Sequence, residues 1–331
     1  MYQYKQIIYF GAPGTGKSYN VKERLKDVRN DKIFRVTIHP EYTYSDFVGQ
    51  LLPEENPTTK TVEFSFKKGP FTRALVEAHE NYAENVYLIL EELSRGNVAA
   101  IFGDIFQLLD RNENFESEYP IRNKDIADQI DVLPTNEITL PSNFNIIGTV
   151  NTSDQSVYPM DTAFKRRFEW KYVTSRPVKD EDGNFLKKLN NPKVIVLTNK
   201  NKIETTWHSF YSALNLFITD NENGLGKSED KQIGQFFVDF GKVLTENSHS
   251  TNTSKADKAK RNITKKIKNK LLLYLWQDVQ GNSSFNISSK LFSREIKSFD
   301  DLYSKYGYDK VFSDIFIEDF LEPHTDEYPY D

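Results

Sequence analysis

Gly11-Ala12-Pro13-Gly14-Thr15-Gly16-Lys17-Ser18 fits the pattern G-x-x-x-x-G-K-[ST] at every constrained position. The chemistry it suits is phosphate binding. Gly11, Gly14 and Gly16 let backbone N–H groups approach an anion with no Cβ in the way, and Pro13 and Thr15 complete the loop between them. Lys17 supplies positive charge to the β- and γ-phosphates, and the Ser18 hydroxyl suits Mg²⁺. The bland alternative is a glycine turn before an ordinary helix. The completeness of the pattern favours a nucleoside triphosphate, GTP or ATP, held with Mg²⁺.

Three further groups could work on a bound triphosphate. Val86-Tyr87-Leu88-Ile89-Leu90 is an apolar run that ends in the acids Glu91 and Glu92. The first acid is placed to hold Mg²⁺, generally through water, and the second to polarise an attacking water. Two solvated acids at a strand end are the alternative. Asn151 follows the strand-like stretch Phe144–Val150, where a neutral amide can orient water without adding repulsive charge; capping a following turn is the alternative. Lys165-Arg166-Arg167 follows Asp161-Thr162-Ala163-Phe164, and arginines suit the charge of a phosphoryl group in transfer. Such arginines also form ordinary surface ion pairs.

These residues need a scaffold that presents them together. Gln6–Phe10 reads as a buried strand leading into the glycine loop, and a helix follows from Lys17 to about Arg29. Lys32–His39, Val86–Leu90 and Phe144–Val150 read as further buried strands, with Val86–Leu90 a continuous apolar run as central parallel strands are. Phe71–Ala78 and Asn97–Asp110 have helical spacing, with Asn97 placed to cap the second. Asn112–Ser142 is polar and reads as a surface hairpin. Strands alternating with helices after a phosphate loop predict an α/β parallel sheet with helices on both faces, over residues 1–175. Residues 176–331 read as a linker rich in Pro, Asn, Lys and Asp, then a smaller, mainly helical subdomain. Its helices are expected at about Glu204–Thr219, Phe236–Leu244 and Lys255–Val279.

The composition excludes several classes. With 38% hydrophobic and 27% charged residues, the 331-residue chain suits a folded globular protein. No apolar run approaches the roughly 20 residues a membrane span requires. No cysteine is present, so disulfide and thiol chemistry are excluded, and with no secretory pattern at Met1–Lys5 a cytoplasmic protein is expected. A net charge of -5 gives no support to strong autonomous DNA binding.

Taken in order, these stretches resemble the AAA+ family, and within it the motor subunit of McrBC-type restriction systems. His39-Pro40-Glu41-Tyr42-Thr43-Tyr44-Ser45-Asp46-Phe47 is similar to that family's H-x-x-Y-S-Y-E-D-F segment, and Gly69-Pro70-Phe71 to its entry into a helix. Glu91-Glu92-Leu93-Ser94-Arg95-Gly96-Asn97 resembles D-E-I-N-R-A/G-N. Val150-Asn151-Thr152-Ser153-Asp154-Gln155-Ser156 resembles M-N-T-A-D-R-S, and Asp161–Phe168 resembles D-x-A-x-R-R-R-F. Ile233-Gly234-Gln235-Phe236-Phe237 is a fainter echo of a lid motif.

The resemblance implies a homo-oligomeric ring, hexameric in the family, with each nucleotide lying between two subunits. Arg95 and Arg166 would then reach a neighbour's nucleotide, Asn151 would act as a sensor, and Asp154 would help position that region. A McrC-like nuclease would be a separate partner, with DNA engaged through the complex and no membrane involved. Three departures qualify this: Glu91 stands for Asp, Ser94 for Asn, and Gln155 for the Arg of a guanine-preferring signature, so GTP and ATP both stay open. The loop begins almost at the first residue, so DNA recognition is expected from another polypeptide or from loops on the ring face. A MoxR-like protein remodeller and an assembly scaffold with little turnover are the competing functions. The lysines between Lys255 and Lys270 read as a solvated helix face more readily than a DNA contact, and Tyr42 and Tyr44 as packing rather than base stacking.

Overall fold

The computed structural model describes residues 5–58, 60–133, 135–153, 158–180, 182–241, 253–280 and 291–325. Two compact units divide the chain. One holds Met1–Phe10 and Lys17–Tyr172; the other holds Gly11–Gly16 and Val173–Asp331.

The first unit is built on a five-stranded parallel sheet. Its elements run β1 (Gln6–Gly11), α1 (Lys17–Arg24), β2 (Ile33–Thr37), α2 (Tyr44–Phe47), β3 (Gly49–Glu55), β4 (Val62–Lys68), α3 (Pro70–Glu80), β5 (Val86–Glu91) and α4 (Val98–Phe102). β6 (Ile121–Arg122), α5 (Lys124–Ala127), β7 (Glu137–Ile138), β8 (Phe144–Asn151), α6 (Thr162–Lys165) and β9 (Glu169–Tyr172) follow. The strand order is β2-β5-β8-β1-β9. β5 and β8 lie inside the sheet, which is why Leu88, Ile89, Leu90 and Ile146 have no exposed surface or nearly none. β5 pairs in parallel with β2 on one side (Leu90 opposite Val36) and with β8 on the other (Leu90 opposite Gly148).

Local chemistry explains the departures from simple periodicity. The helix expected over Asn97–Asp110 is broken: Asn97 caps α4 by accepting from Ala100 N, but the chain tightens into 3₁₀ turns over Gly103–Leu109. Gly103 has φ of +49°, and a Cβ there would stand 2.9 Å from the Tyr44 ring. Tyr44 itself donates to Asp104 at 2.8 Å and accepts from Asn123 at 3.1 Å, and Tyr42 packs on Phe47, so both tyrosines are packing residues. Within the polar excursion 112–142 the hairpin is reduced to the two-residue strands β6 and β7. Arg111 ties this excursion to the sheet, donating to Gln6, to the carbonyls of Phe115, Leu140 and Pro141, and to that of Phe144. Burial pushes its guanidinium down to about 9.

β3 and β4 form a separate antiparallel hairpin, with Leu51 paired to Phe66 and Pro53 to Phe64. Phe64 and Val62 are largely exposed on it.

The second unit opens with an antiparallel hairpin, β10 (Lys193–Leu197) and β11 (Lys202–Thr206), where the expected helix was to begin at Glu204. Thr206 then caps α7 (Trp207–Thr219) by accepting from Ser209 N. α7 is buried nearly all round and forms the centre of a core with Ile233, Phe240, Leu271, Phe312 and Phe316. A helix covers Thr253–Tyr274 and continues as a π-helical turn to Gln280. Phe236–Phe240 are non-helical, so of the described residues in the expected helix only Gly241 is helical; Phe236 N donates to Gly14 O. Positions 242–244 of that expected helix lie outside the described residues. No helix among the described residues is long and apolar enough to cross a membrane.

Candidate nucleotide site

Parallel strands bring their carboxyl ends to one edge, and the loops after those ends are where open α/β sheets bind ligands. β1 ends at Gly11, β5 at Glu91 and β8 at Asn151. In the loop Gly11–Gly16, all three glycines have positive φ: 152° at Gly11, 76° at Gly14 and 97° at Gly16. The loop is closed internally by Thr15 Oγ1 donating to Ala12 O at 3.0 Å. Lys17 and Ser18 open α1, with Lys17 buried and Ser18 exposed.

Within the first unit the two acids have different partners. Glu92 sits in a left-handed conformation (φ 56°, ψ 40°), a costly state for a residue with a Cβ. Its N–H donates to Thr149 Oγ1 at 3.3 Å, and its carboxylate accepts from Asn151 Nδ2 at 3.0 and 2.8 Å. Arg95 Nε lies 3.4 Å from the same carboxylate. A turn with reversed backbone therefore aims Glu92 sideways, toward the end of β8. Glu91 instead takes an ion pair with Arg35 of β2. Arg35 is opposite Ile89, two residues before Glu91, so the two side chains share one face of the sheet.

Gly96 allows the turn after the acids to close: a Cβ there would meet Ile38 Cγ2 at 2.5 Å and Ile101 Cδ1 at 2.8 Å. The two arginines after α6 also separate. Arg167 is nearly buried, paired with Asp110, stacked 4.2 Å over the Phe106 ring, and donating to Ala163 O. Arg166 is exposed. Asp154 and Gln155 lie outside the described residues.

The donors that would face a metal are the Ser18 hydroxyl and the Glu91 carboxylate, both hard oxygen ligands suited to Mg²⁺. No cluster of three or more metal-binding side chains occurs among the described residues. Sequence reasoning missed Arg35, since its pairing with Glu91 depends on which strand lies beside β5.

A phosphate loop on a five-stranded parallel sheet, with an acid pair and an asparagine on neighbouring strand ends, is the arrangement of the AAA+ P-loop proteins. The chain belongs to this family: residues 6–168 match the AAA domain (dynein-related subfamily). Among proteins it is similar to, the BsuMI component YdiS, of a type II restriction enzyme of Bacillus subtilis (strain 168), is 32% identical over 334 residues. That alignment takes in 92% of this chain and 87% of YdiS. The EcoKMcrB subunit of the type IV methyl-directed restriction enzyme of Escherichia coli (strain K12) is 27% identical over 171 residues. The match covers 50% of this chain and only 34% of that subunit. A crystal structure of a candidate ATPase from Cytophaga hutchinsonii covers 54% of this chain and is covered to 43%, at 20% identity and a TM-score of 0.33. The chain is thus a McrB-like AAA+ protein, related to components of restriction systems.

Proposed function

We propose that this chain is a nucleoside-triphosphatase that energises a DNA restriction complex in antiviral defence, acting as a ring with a separate nuclease subunit. The observation that carries the hydrolytic half is the Glu92–Asn151 pair, in a chain that also carries a complete phosphate loop. In this reading the N–H groups of Gly14, Thr15 and Gly16 hold the phosphate chain, and Lys17 balances its charge. Mg²⁺, when bound, draws charge from the β- and γ-phosphates. Glu92 accepts the proton of the attacking water, and Asn151 holds its carboxylate in line. Arg166, exposed at the end of α6, is the group best placed by exposure to serve a neighbouring subunit's nucleotide. Arg95 is already beside Glu92 of its own subunit, so its role begins in cis.

The restriction half rests on kinship with YdiS and EcoKMcrB. The test is turnover of ATP and of GTP by the purified chain, alone and with DNA and a McrC-like nuclease. Turnover that neither DNA nor that nuclease alters, but that a protein client raises, would replace this reading with protein remodelling. A second reading, a nucleotide-gated scaffold with little turnover, is favoured by the Arg35–Glu91 ion pair, which places a competing cation on the metal-facing acid.

A further inference from the structure

The loop Gly11–Gly16 is packed against a segment more than 200 residues later in the chain, Ile233–Phe237, within the second unit. Gly234 N donates to Pro13 O at 2.9 Å, and Phe236 N donates to Gly14 O at 2.7 Å. The approach is as close as two backbones allow. A Cβ on Gly234 would stand 2.3 Å from Thr15 Cα and 2.4 Å from Thr15 N, and one on Gly14 would stand 2.3 Å from Phe237 N.

The segment is itself held at both ends of its turn. Asn215, buried on α7, clasps Ile233 through both backbone groups: its Nδ2 donates to Ile233 O at 2.8 Å and its Oδ1 accepts from Ile233 N at 2.9 Å. Gln235, also buried, donates to Leu189 O at 2.9 Å and accepts from Val178 N at 2.8 Å. The Gln235 carbonyl accepts from Trp207 Nε1 at 2.8 Å and Asn190 Nδ2 at 2.7 Å. The side chains that make these bonds, Asn190, Trp207, Asn215 and Gln235, are all buried, so the segment is tied to the packed interior of this unit.

The consequence lies in the peptide plane. In a trans peptide the C=O and N–H point in opposite directions. The Pro13 carbonyl shares its plane with the Gly14 N–H, and the Gly14 carbonyl shares its plane with the Thr15 N–H. Two donors that seize those carbonyls from one side therefore aim the Gly14 and Thr15 N–H groups to the other. Converging N–H groups are what an anion requires of such a loop.

We propose that Ile233–Phe237 is a strap that presets the phosphate-binding shape of the loop, with Gly234 as a positioning residue for the phosphate chain of the nucleotide. This rests on the nucleotide-binding reading above. Gly234 does not have a positive φ, so alanine suits its own backbone, and the whole effect of a methyl falls on Thr15.

The test is Gly234→Ala, with Gly183→Ala, whose added methyl meets nothing within 4 Å, as a surface control at a glycine of positive φ. Titration calorimetry with ATP, GTP and inorganic tripolyphosphate should show Gly234→Ala weakening every ligand by at least roughly tenfold, as loss of charge-assisted hydrogen bonds does. The factor should be the same for tripolyphosphate as for the nucleotides, because only the phosphate cradle is altered. Unchanged affinities, or a loss confined to the nucleotides, would overturn the strap. If Gly234→Ala does not fold, hydrogen exchange of the wild-type chain decides: added ATP or GTP should slow exchange across 233–237, and no slowing is the overturning result. Failure of the parent reading looks different. There the unmodified chain binds neither nucleotide, and Lys17→Ala changes nothing.

Discussion

Asn151 Nδ2 donates to both carboxylate oxygens of Glu92, at 3.0 and 2.8 Å, across the gap between the ends of β8 and β5. A neutral amide can hold a carboxylate without adding a negative charge that would repel a phosphate. It can also withhold that carboxylate from water, so this single contact bears on both positioning and restraint.

The first prediction concerns that contact. Glu92→Gln should leave nucleotide affinity within about threefold while turnover falls by roughly 10²–10⁴, the usual worth of a general base. Asn151→Asp should be worse than Asn151→Ala, because two carboxylates within hydrogen-bond distance repel. Its residual turnover should also move its acid limb to higher pH. Steady-state turnover against pH for the three variants checks both. Equal rates for Asn151→Asp and Asn151→Ala would mean that the amide does not act through Glu92.

The second prediction concerns Glu91, the acid proposed to face the metal. Arg35 and Glu91 are partly exposed, with side-chain exposures of 43% and 23%, so their attraction is modest. Removing the guanidinium in Arg35→Ala should lower the Mg²⁺ concentration that half-saturates nucleotide binding by about fivefold, or ~1 kcal/mol. Glu91→Asp, one methylene shorter and drawn away from Arg35, should also bind metal more readily. A Mg²⁺ titration of nucleotide fluorescence reads both. A higher Mg²⁺ requirement in Arg35→Ala would show that Arg35 orients Glu91 for the metal instead of competing with it.

The third prediction separates adjacent arginines. Arg167 pairs with Asp110 and covers Phe106, so Arg167→Ala strands a half-buried carboxylate and loses a stacked contact; about 2–4 kcal/mol of stability should go with it. Arg166→Ala should leave the melting temperature within about a degree, as exposed substitutions do. Its turnover should drop only where subunits are assembled. Thermal unfolding beside turnover measured across protein concentration checks the pair.

What was legible in the sequence follows from range. The phosphate loop, the acids at the end of β5 and the asparagine at the end of β8 are each carried by contiguous residues whose apolar run announces a buried strand. Asn97 shows its capping role in the same local way. The Arg35–Glu91 pair needs the strand order, which no local pattern encodes. The strap needs a contact between residues 13–14 and 234–236, and Gly234 looks like any loop glycine until its neighbour is known. β10 was readable in principle, since Val194 and Val196 alternate inward, but the Pro-, Asn-, Lys- and Asp-rich composition around it reads as a linker.

The last prediction is a pH dependence of stability that owes nothing to the nucleotide. His208 lies fully buried on α7, its Nε2 3.0 Å from Leu189 O, and burial pushes its imidazole down to about 4 from an ordinary value of 6.5. It is therefore neutral in the folded chain wherever the unfolded chain would begin to protonate it. A depressed folded value contributes stability that is present above the unfolded value and is lost as pH falls. The loss should begin near pH 6.5 and continue to about pH 4, where it amounts to about 3 kcal/mol. His208→Gln keeps a polar side chain against the Leu189 carbonyl but does not titrate. Urea unfolding between pH 7.5 and 4.5 should give a steeper decline for the native chain than for His208→Gln, and parallel declines would assign the acid sensitivity to other groups.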